Sequence, residues 1–421
     1  MFPTTPRGFR DVLNEEARER AAVVGAMTRV FESWGYDPVE TPVVEEYETL
    51  AVGMGPELEQ TAFRLFDLDG SLLALRPEMT VPIARLVATR FAGSDEIHRI
   101  SYVADVFREH ASLRGQARQF TQVGVEMIGA AGPVADAEVA LLLIEALEAA
   151  GLASFTVGIG TTDAVRVLLE KAAQPHEWSD AVLGAVQEGN LVELDRLTRA
   201  VDLDVPLGDA LREVPRLRGG REAIERADRL AIAAGCVNTV CNVRQAWITI
   251  EALGLAHRAS VDFGIMRSFG YYTGLQLEAS APGLGLPLAG GGRYNRLLGG
   301  YGQAQAAAGF AIGLERVMIA LAEQGTTPVL APLDAVIGGM DPLETFAAAR
   351  RLRDAGWRVR VAPGRTGSWV VRSADHAGAV EALLARDGDI FRLDRAGEPL
   401  AGLGDRLPEP PAAGIGKGGA A

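Results

Sequence analysis

The stretch SYVADVFREHASLRGQARQFTQVGVEMIG, residues 101–129, constrains the fold more than any other part of the chain. Apolar residues run up to Phe107, a polar loop follows through Ser112, Arg114 and Gly115, and a second strand-like run begins at Gln119 and reaches Ile128. Alternation along such a hairpin puts Arg108, Gln122, Gly124 and Glu126 on one surface. There a guanidinium can take a carboxylate or phosphate, and a carboxylate with an amide can take an ammonium. The same two charges on neighbouring strands also describe a solvated cross-strand pair, so the surrounding segments have to decide between the two.

A length of 421 residues suggests two or three units. With 48% hydrophobic and 23% charged residues, a sizeable packed core is expected. The richest apolar run, VALLLIEAL at 139–147, is interrupted by Glu145 and falls short of the roughly 20 residues that a membrane span requires. The segment MFPTTPRGFRDVLNEEARER has no basic, apolar and small-residue succession of a secretion signal, so a soluble, cytoplasmic protein is expected. Two cysteines, Cys236 and Cys241, and five scattered histidines make no metal framework, and both thiols are expected free and buried. A net charge of −14 supplies no basic footprint for nucleic acid.

Helical spacing predicts a helix from Asn14 to Trp34, stopped by Gly35. Pro42 keeps the following DPVETPVVEEYETL off any central ladder position. A hairpin folds Phe63 to Phe66 onto Leu72 to Leu75 around Asp69-Gly70, and Thr80 is the expected N-cap of the next helix, with Glu78 at the junction. A helix from about 134 to 150 and the strand SFTVGIG follow the central hairpin, and residues 162–230 form an inserted helical subdomain with almost no β-rich run. After a helix over 242–253, VDFGIMRSFGYYTGLQLEAS predicts a strand pair with Arg267 entering and Tyr271 and Tyr272 leaving its turn. LAGGGRYNRLLGGYG permits close backbone approach, and AAAGFAIGLERVMIALAEQ passes from a buried strand into a helix near Leu314. From Pro332 a β-α-β pattern predicts a small α/β domain to about Leu400, and residues 401–421 are expected to be disordered.

Six of these segments, in this order, resemble the catalytic core of class II histidyl-tRNA synthetases over about residues 6–324, the insert excepted. WGYDPVETP is similar to the first, dimer-forming motif, VFREHASLRGQARQFTQVGVE to the second and GFAIGLERV to the third; LRPEMT, RSFGYYTG and AGGGRYNRLLGG resemble the histidine-specific loops. The implied fold is α+β: an antiparallel sheet flanked by helices over residues 1–325, carrying the insert, with a small C-terminal α/β domain over 332–400. By position, the resemblance implies that Glu78, Thr80, Gln122 and Glu126 contact histidine and that Arg267, Tyr271 and Tyr272 close the pocket. It puts Arg108 and Arg316 where the synthetases grip ATP phosphates, and Arg267 at the α-phosphate.

The departures from that family are concentrated on the nucleotide side. Phe-Arg-x-Glu is replaced by Phe107-Arg108-Glu109-His110, Gly-Arg-x-Arg by Gly115-Gln116-Ala117-Arg118, the Asp of Arg-Gly-Leu-Asp-Tyr-Tyr by Gly270, and the Asp of Gly-Arg-Tyr-Asp by Asn295. Each lost preorganised contact typically costs about 2.7 to 4 kcal/mol of transition-state stabilisation, so several together should leave adenylate formation negligible. A pocket that keeps its histidine contacts resembles instead the synthetase-like regulatory subunits of ATP phosphoribosyltransferase. GNLVELDRL and LRGGREAIERA look like the insert of that group, and Met79 stands where synthetases have Gly. The resemblance implies no independent catalysis and no cofactor, a short-form catalytic subunit as partner in a hetero-octamer, a class II-like dimer, L-histidine as feedback effector and no tRNA. The segment 332–363 is similar to the first half of an anticodon-binding domain. An active histidyl-tRNA synthetase and an amino-acid-binding scaffold with another partner are the other two functions compatible with these residues.

Overall fold

The structure is a computed structural model and describes residues 4–109, 117–266, 272–302, 304–377 and 379–403. It divides into two compact units, Met1–Pro328 and Val329–Ala421.

The larger unit is organised on a nine-stranded sheet. Its strand order is Asp37–Pro38, His98–Phe107, Gln119–Ile128, Ala307–Gly313, Ala289–Arg293, Leu275–Ser280, Thr156–Thr161, Ala259–Asp262 and Arg218–Gly219. Neighbours run antiparallel except at two places, where Asp37–Pro38 lies parallel to His98–Phe107 and Thr156–Thr161 parallel to Ala259–Asp262. The strand pair expected within 261–280 does not form. Ala259–Asp262 and Leu275–Ser280 are separated by Thr156–Thr161, which pairs with both, because a strand from far upstream offers each of them a full ladder. Pro38 and the strand Val44–Glu46 both lie at sheet edges, the latter in a small three-stranded sheet with the hairpin Arg64–Phe66 and Leu72–Leu75.

Period-2 alternation gives the sheet two unlike faces. One carries Val123, Val125, Met127, Phe310 and Ile312, all buried against the helix Pro133–Ala149 and the helix Asn14–Ser33. Phe31 meets Phe310 edge-on at 5.9 Å. The opposite face is paved with small residues, because Gln122, Gly124 and Glu126 lie across from Gly313, Ala311 and Gly309. The next strand continues the row, with Gly290 opposite Ala311 and Gly292 opposite Gly309.

The inserted helices, from Asp163–Ala172 to Arg221–Ala233, do not build a core of their own. Val165, Leu168, Val182, Leu194, Leu211 and Ala227 belong to the same buried cluster as the underside of the sheet. Contrary to a purely helical insert, Arg218–Gly219 pairs with Ala259–Asp262 as the last edge strand. Of the two thiols Cys236 is buried, but Cys241 is exposed at the start of the helix Cys241–Ala252 because its face points away from the core.

The smaller unit has a five-stranded sheet in the order Val359–Pro363, Ala335–Gly339, Glu381–Arg386, Asp389–Leu393 and Pro399–Gly402. The first three strands are parallel and the last two antiparallel. Asp341 caps the helix Pro342–Asp354 by accepting from the Glu344 amide at 2.9 Å. Ala401 and Gly402, expected to open a disordered tail, are the end of the last strand; residues 404–421 lie outside the described residues.

One buried ion pair ties the sheet to its covering helix. Arg293 Nε donates to Asp136 Oδ1 at 2.7 Å, and the two side chains are 4% and 0% exposed. Removing one member of such a pair strands the other charge in the interior. Asp136→Ala is expected to destabilise the larger unit by about 3–5 kcal/mol, read from its urea unfolding transition. A loss below about 1 kcal/mol would mean that Arg293 finds another partner.

Candidate functional site

The small-residue face is where the charged groups gather, and the glycines explain how they fit. A Cβ at Gly309 would overlap Glu126 Oε2 and the Val125 carbonyl, and one at Gly124 would overlap the Tyr102 hydroxyl. Only glycine at these strand positions lets the Glu126 side chain and the Tyr102 ring lie across the sheet. Glu126 is 1% exposed, and its hydrogen-bond donors are neutral hydroxyls. Thr80 Oγ1 donates to Oε1 at 2.9 Å and Tyr102 Oη at 3.5 Å, while Tyr294 Oη donates to Oε2.

Burial disfavours the charged form where no cationic donor is present among the described residues, and Glu126 is pushed up to about 8, the hydroxyls of Tyr294 and Thr80 opposing the shift. Glu78, 4% exposed, is held differently. It stands just before the helix Thr80–Arg90, where its Oε2 accepts from the Thr80 amide and Oε1 from the Val81 amide, both at 2.7 Å. Burial raises this carboxyl too, and the two amides at a helix N-terminus pull it back. The cap position is therefore Met79 and the accepting carboxylate Glu78, while Thr80 is the first helical residue and has its hydroxyl free for Glu126.

Gln122 is 8% exposed and lies two strand alternations from Glu126, with Gly124 between them; its Oε1 has no hydrogen-bond partner among the described residues. Arg108 sits at the open end of the hairpin, with Nε donating to the Pro77 carbonyl at 2.7 Å and the guanidinium 5.2 Å from the Phe120 ring. Its charge acts on Glu78. Tyr272 packs with Met79, Tyr102 and Tyr294 in one apolar cluster. Arg267 and Tyr271 lie outside the described residues. Glu78, Thr80, Gln122, Glu126 and Tyr272 thus gather on one acceptor-rich face of the sheet, with Arg108 at the open end of the hairpin.

Tyr102 and Tyr294 are the two pocket residues that sequence reasoning missed. Tyr102 pairs with Gly124 and so shares its face, a signal present in the alternation of the hairpin. Tyr294 reaches Glu126 only through a contact spanning 168 positions, which no local pattern reports.

The neighbouring wall is engaged with itself. Glu109 accepts from Arg7 at 3.2 Å and pairs with Arg118, whose guanidinium lies 4.4 Å from the Phe63 ring and 5.6 Å from that of Phe9. Arg316 donates to the Pro287 carbonyl at 2.6 Å. Glu315 accepts from Arg20 at 2.8 Å and from the Thr121 amide at 3.0 Å, tying the third motif to the central hairpin.

A nine-stranded, mostly antiparallel sheet with this pocket on its open face defines a class II histidyl-tRNA synthetase-like protein, and the histidyl-tRNA synthetase family model matches residues 8–317. A solved structure described as an ATP phosphoribosyltransferase regulatory subunit/histidyl-tRNA synthetase from Bacillus halodurans superposes with a TM-score of 0.79. That chain is 31% identical, and the match covers 89% of this chain and 96% of the other. The ATP phosphoribosyltransferase regulatory subunit of Moorella thermoacetica is 36% identical over 84% of this chain and 90% of its own length. The corresponding subunit of Symbiobacterium thermophilum is 37% identical over 85% and 90%. The chain belongs to the histidyl-tRNA synthetase family and, within it, to the ATP phosphoribosyltransferase regulatory subunits. No helix among the described residues is long and apolar enough to cross a membrane.

The raised carboxyl of Glu126 has a sign-definite effect on stability. A group whose folded pKa lies above its unfolded value contributes stability that is full below about 4.5 and is lost as pH rises through about 8. Glu126→Gln is therefore expected to stabilise the unliganded chain at pH 8 relative to wild type, by a few kcal/mol as an order of magnitude, and to have little effect near pH 5. Denaturant melts at the two pH values measure this; an equal effect at both would contradict a protonated buried carboxyl.

Proposed function

We propose that this chain is a non-catalytic subunit that binds L-histidine and regulates a short-form ATP phosphoribosyltransferase catalytic subunit, the enzyme that opens histidine biosynthesis. The observation that carries this reading is the contrast between two adjacent walls. The pocket of Glu78, Thr80, Gln122 and Glu126 presents acceptors to a ligand rich in N–H donors, as an α-ammonium and an imidazole are. Arg108 at the rim, with Arg267, Tyr271 and Tyr272, completes the proposed histidine-binding set. On the nucleotide side, Arg118 is neutralised by Glu109, and Gln116 and Asn295 stand where the synthetases carry charge.

An active histidyl-tRNA synthetase is not favoured. Arg108 and Arg316, the residues that would support it, are drawn onto backbone carbonyls, and removal of single preorganised groups already costs such reactions about 10²–10³ in rate. The proposed assembly is cytoplasmic, a class II-like dimer within a hetero-octamer of four chains of each kind. Feedback then needs histidine to favour one arrangement of that assembly by its differential affinity, a coupling typically of 1–3 kcal/mol.

Two measurements test this. Glu126→Ala is expected to weaken L-histidine binding by about 2–5 kcal/mol in calorimetry, roughly 30-fold or more, with an unchanged circular dichroism spectrum. Unchanged affinity would move the histidine site elsewhere. Mixing the chain with a short-form catalytic subunit is expected to raise its turnover and make it histidine-sensitive; no gain in turnover would point to a different partner.

A further inference from the structure

We infer that the cleft between the last helix of the insert, Arg221–Ala233, and the helix that follows it, Cys241–Ala252, is a second ligand site, for a small organic anion with an apolar body. Its floor residues Ile224 and Trp247 belong to the apolar cluster beneath the sheet, and none of its lining residues is among those of the Glu126 face.

Helical spacing builds the cleft. Arg221, Glu225, Asp228 and Arg229 share one face of the first helix, and Arg244, Trp247, Ile248 and Glu251 one face of the second. The helices are joined at two places, where Arg221 pairs with Glu251 and Arg244 with Asp228 at 2.8 Å. The two pairs are about 10 Å apart along the first helix, given a rise of about 1.5 Å per residue. Between them buried Ile224 and Trp247 and exposed Ile248 leave an apolar floor, and the cleft encloses about 360 Å³. That volume is of the size that takes small molecules. The indole can seat there because Gly220 has no side chain; a Cβ on it would come within 3.0 Å of the Trp247 ring.

The ion pairs bridge the helices at both ends, so an extended chain cannot run along the slot and the occupant is a small molecule. Its charge follows from what the cleft leaves unsatisfied. Three guanidiniums, of Arg221, Arg229 and Arg244, face two carboxylates, and that of Asp228 is taken by Arg244. Glu225 lies four positions after Arg221 and four before Arg229, so a cation approaching it meets a guanidinium on either side. Arg229 is held only by Glu225, at 3.9 Å, with both side chains more than half exposed, a pairing that contributes little and yields readily to a better acceptor. The Trp247 Nε1–H is buried without an acceptor among the described residues, so the floor as well offers a donor and no acceptor. A carboxylate on Arg229 with an apolar body over Trp247 and Ile248 satisfies all of this.

Calorimetry of the full chain with phenylacetate, its neutral amide phenylacetamide and inorganic phosphate tests the assignment. A single saturable site is expected for phenylacetate, with the amide about tenfold weaker or more and phosphate unbound. Saturating L-histidine should leave the affinity for phenylacetate unchanged. Arg229→Gln, at an exposed position, should weaken phenylacetate about tenfold and leave the amide as it was. Ile248→Asp, which puts a carboxylate on the lip, should abolish phenylacetate binding with an unchanged circular dichroism spectrum. No saturable binding of phenylacetate, equal affinity for acid and amide, displacement by L-histidine, or binding indifferent to both substitutions would each overturn the site; none of these outcomes bears on whether histidine binds at the Glu126 face.

Discussion

A carboxylate buried with no counter-charge among the described residues is the interaction on which the site depends. Glu126 can lie across the sheet only because the strand opposite has glycine at Gly309, and Tyr102 can approach it only because its own cross-strand partner is Gly124. Desolvation then sets the chemistry. A group that would be ionised in water is held close to neutral, ringed by hydroxyls from three separate elements, and is ready to receive a donor. A larger residue at Gly309 would displace the carboxylate, and the hydroxyls of Thr80 and Tyr294 would lose the acceptor they share.

The two faces of the sheet divide the labour. The underside is apolar and closes on the helix Pro133–Ala149, with the Arg293–Asp136 pair as its one strongly desolvated ion pair among the described residues. Arg293 and Tyr294 are adjacent in sequence, yet alternation sends one into the core and the other into the pocket. The closely packed underside backs an upper face lined with glycines and buried carboxyls. The inserted helices share the same apolar core, so the insert and the underside of the sheet are packed as one body.

Much of this was legible in the residues. The central hairpin, the helix Asn14–Ser33 and the passage from Ala307–Gly313 into the helix Leu314–Gln324 follow from local periodicity and from stop signals such as Gly35. What escaped was non-local. Thr156–Thr161 intervenes between Ala259–Asp262 and Leu275–Ser280 because sheet order is decided by pairing energies across more than a hundred positions, which no window contains. Thr80 has the residue type of a cap, but a carboxylate two positions earlier competes better for the amides and leaves the hydroxyl for a contact 46 positions away. Of the site, the residue types were readable; the neutral environment that tunes them was not, because it comes from Tyr102 and Tyr294 reaching Glu126 from two separate strands.

Membership of the family fixes the architecture, and in the proposed reading the contrast between an acceptor-rich face and a self-paired neighbouring wall is what would separate sensing from activation. The most direct test is histidine-dependent exchange of pyrophosphate into ATP by the purified chain alone. Exchange no higher than that of a no-histidine control is expected. Histidine-dependent exchange above that control would mean that Arg108, Arg118 and Arg316 can leave their present partners to grip a nucleotide, and would contradict a site that binds histidine without activating it.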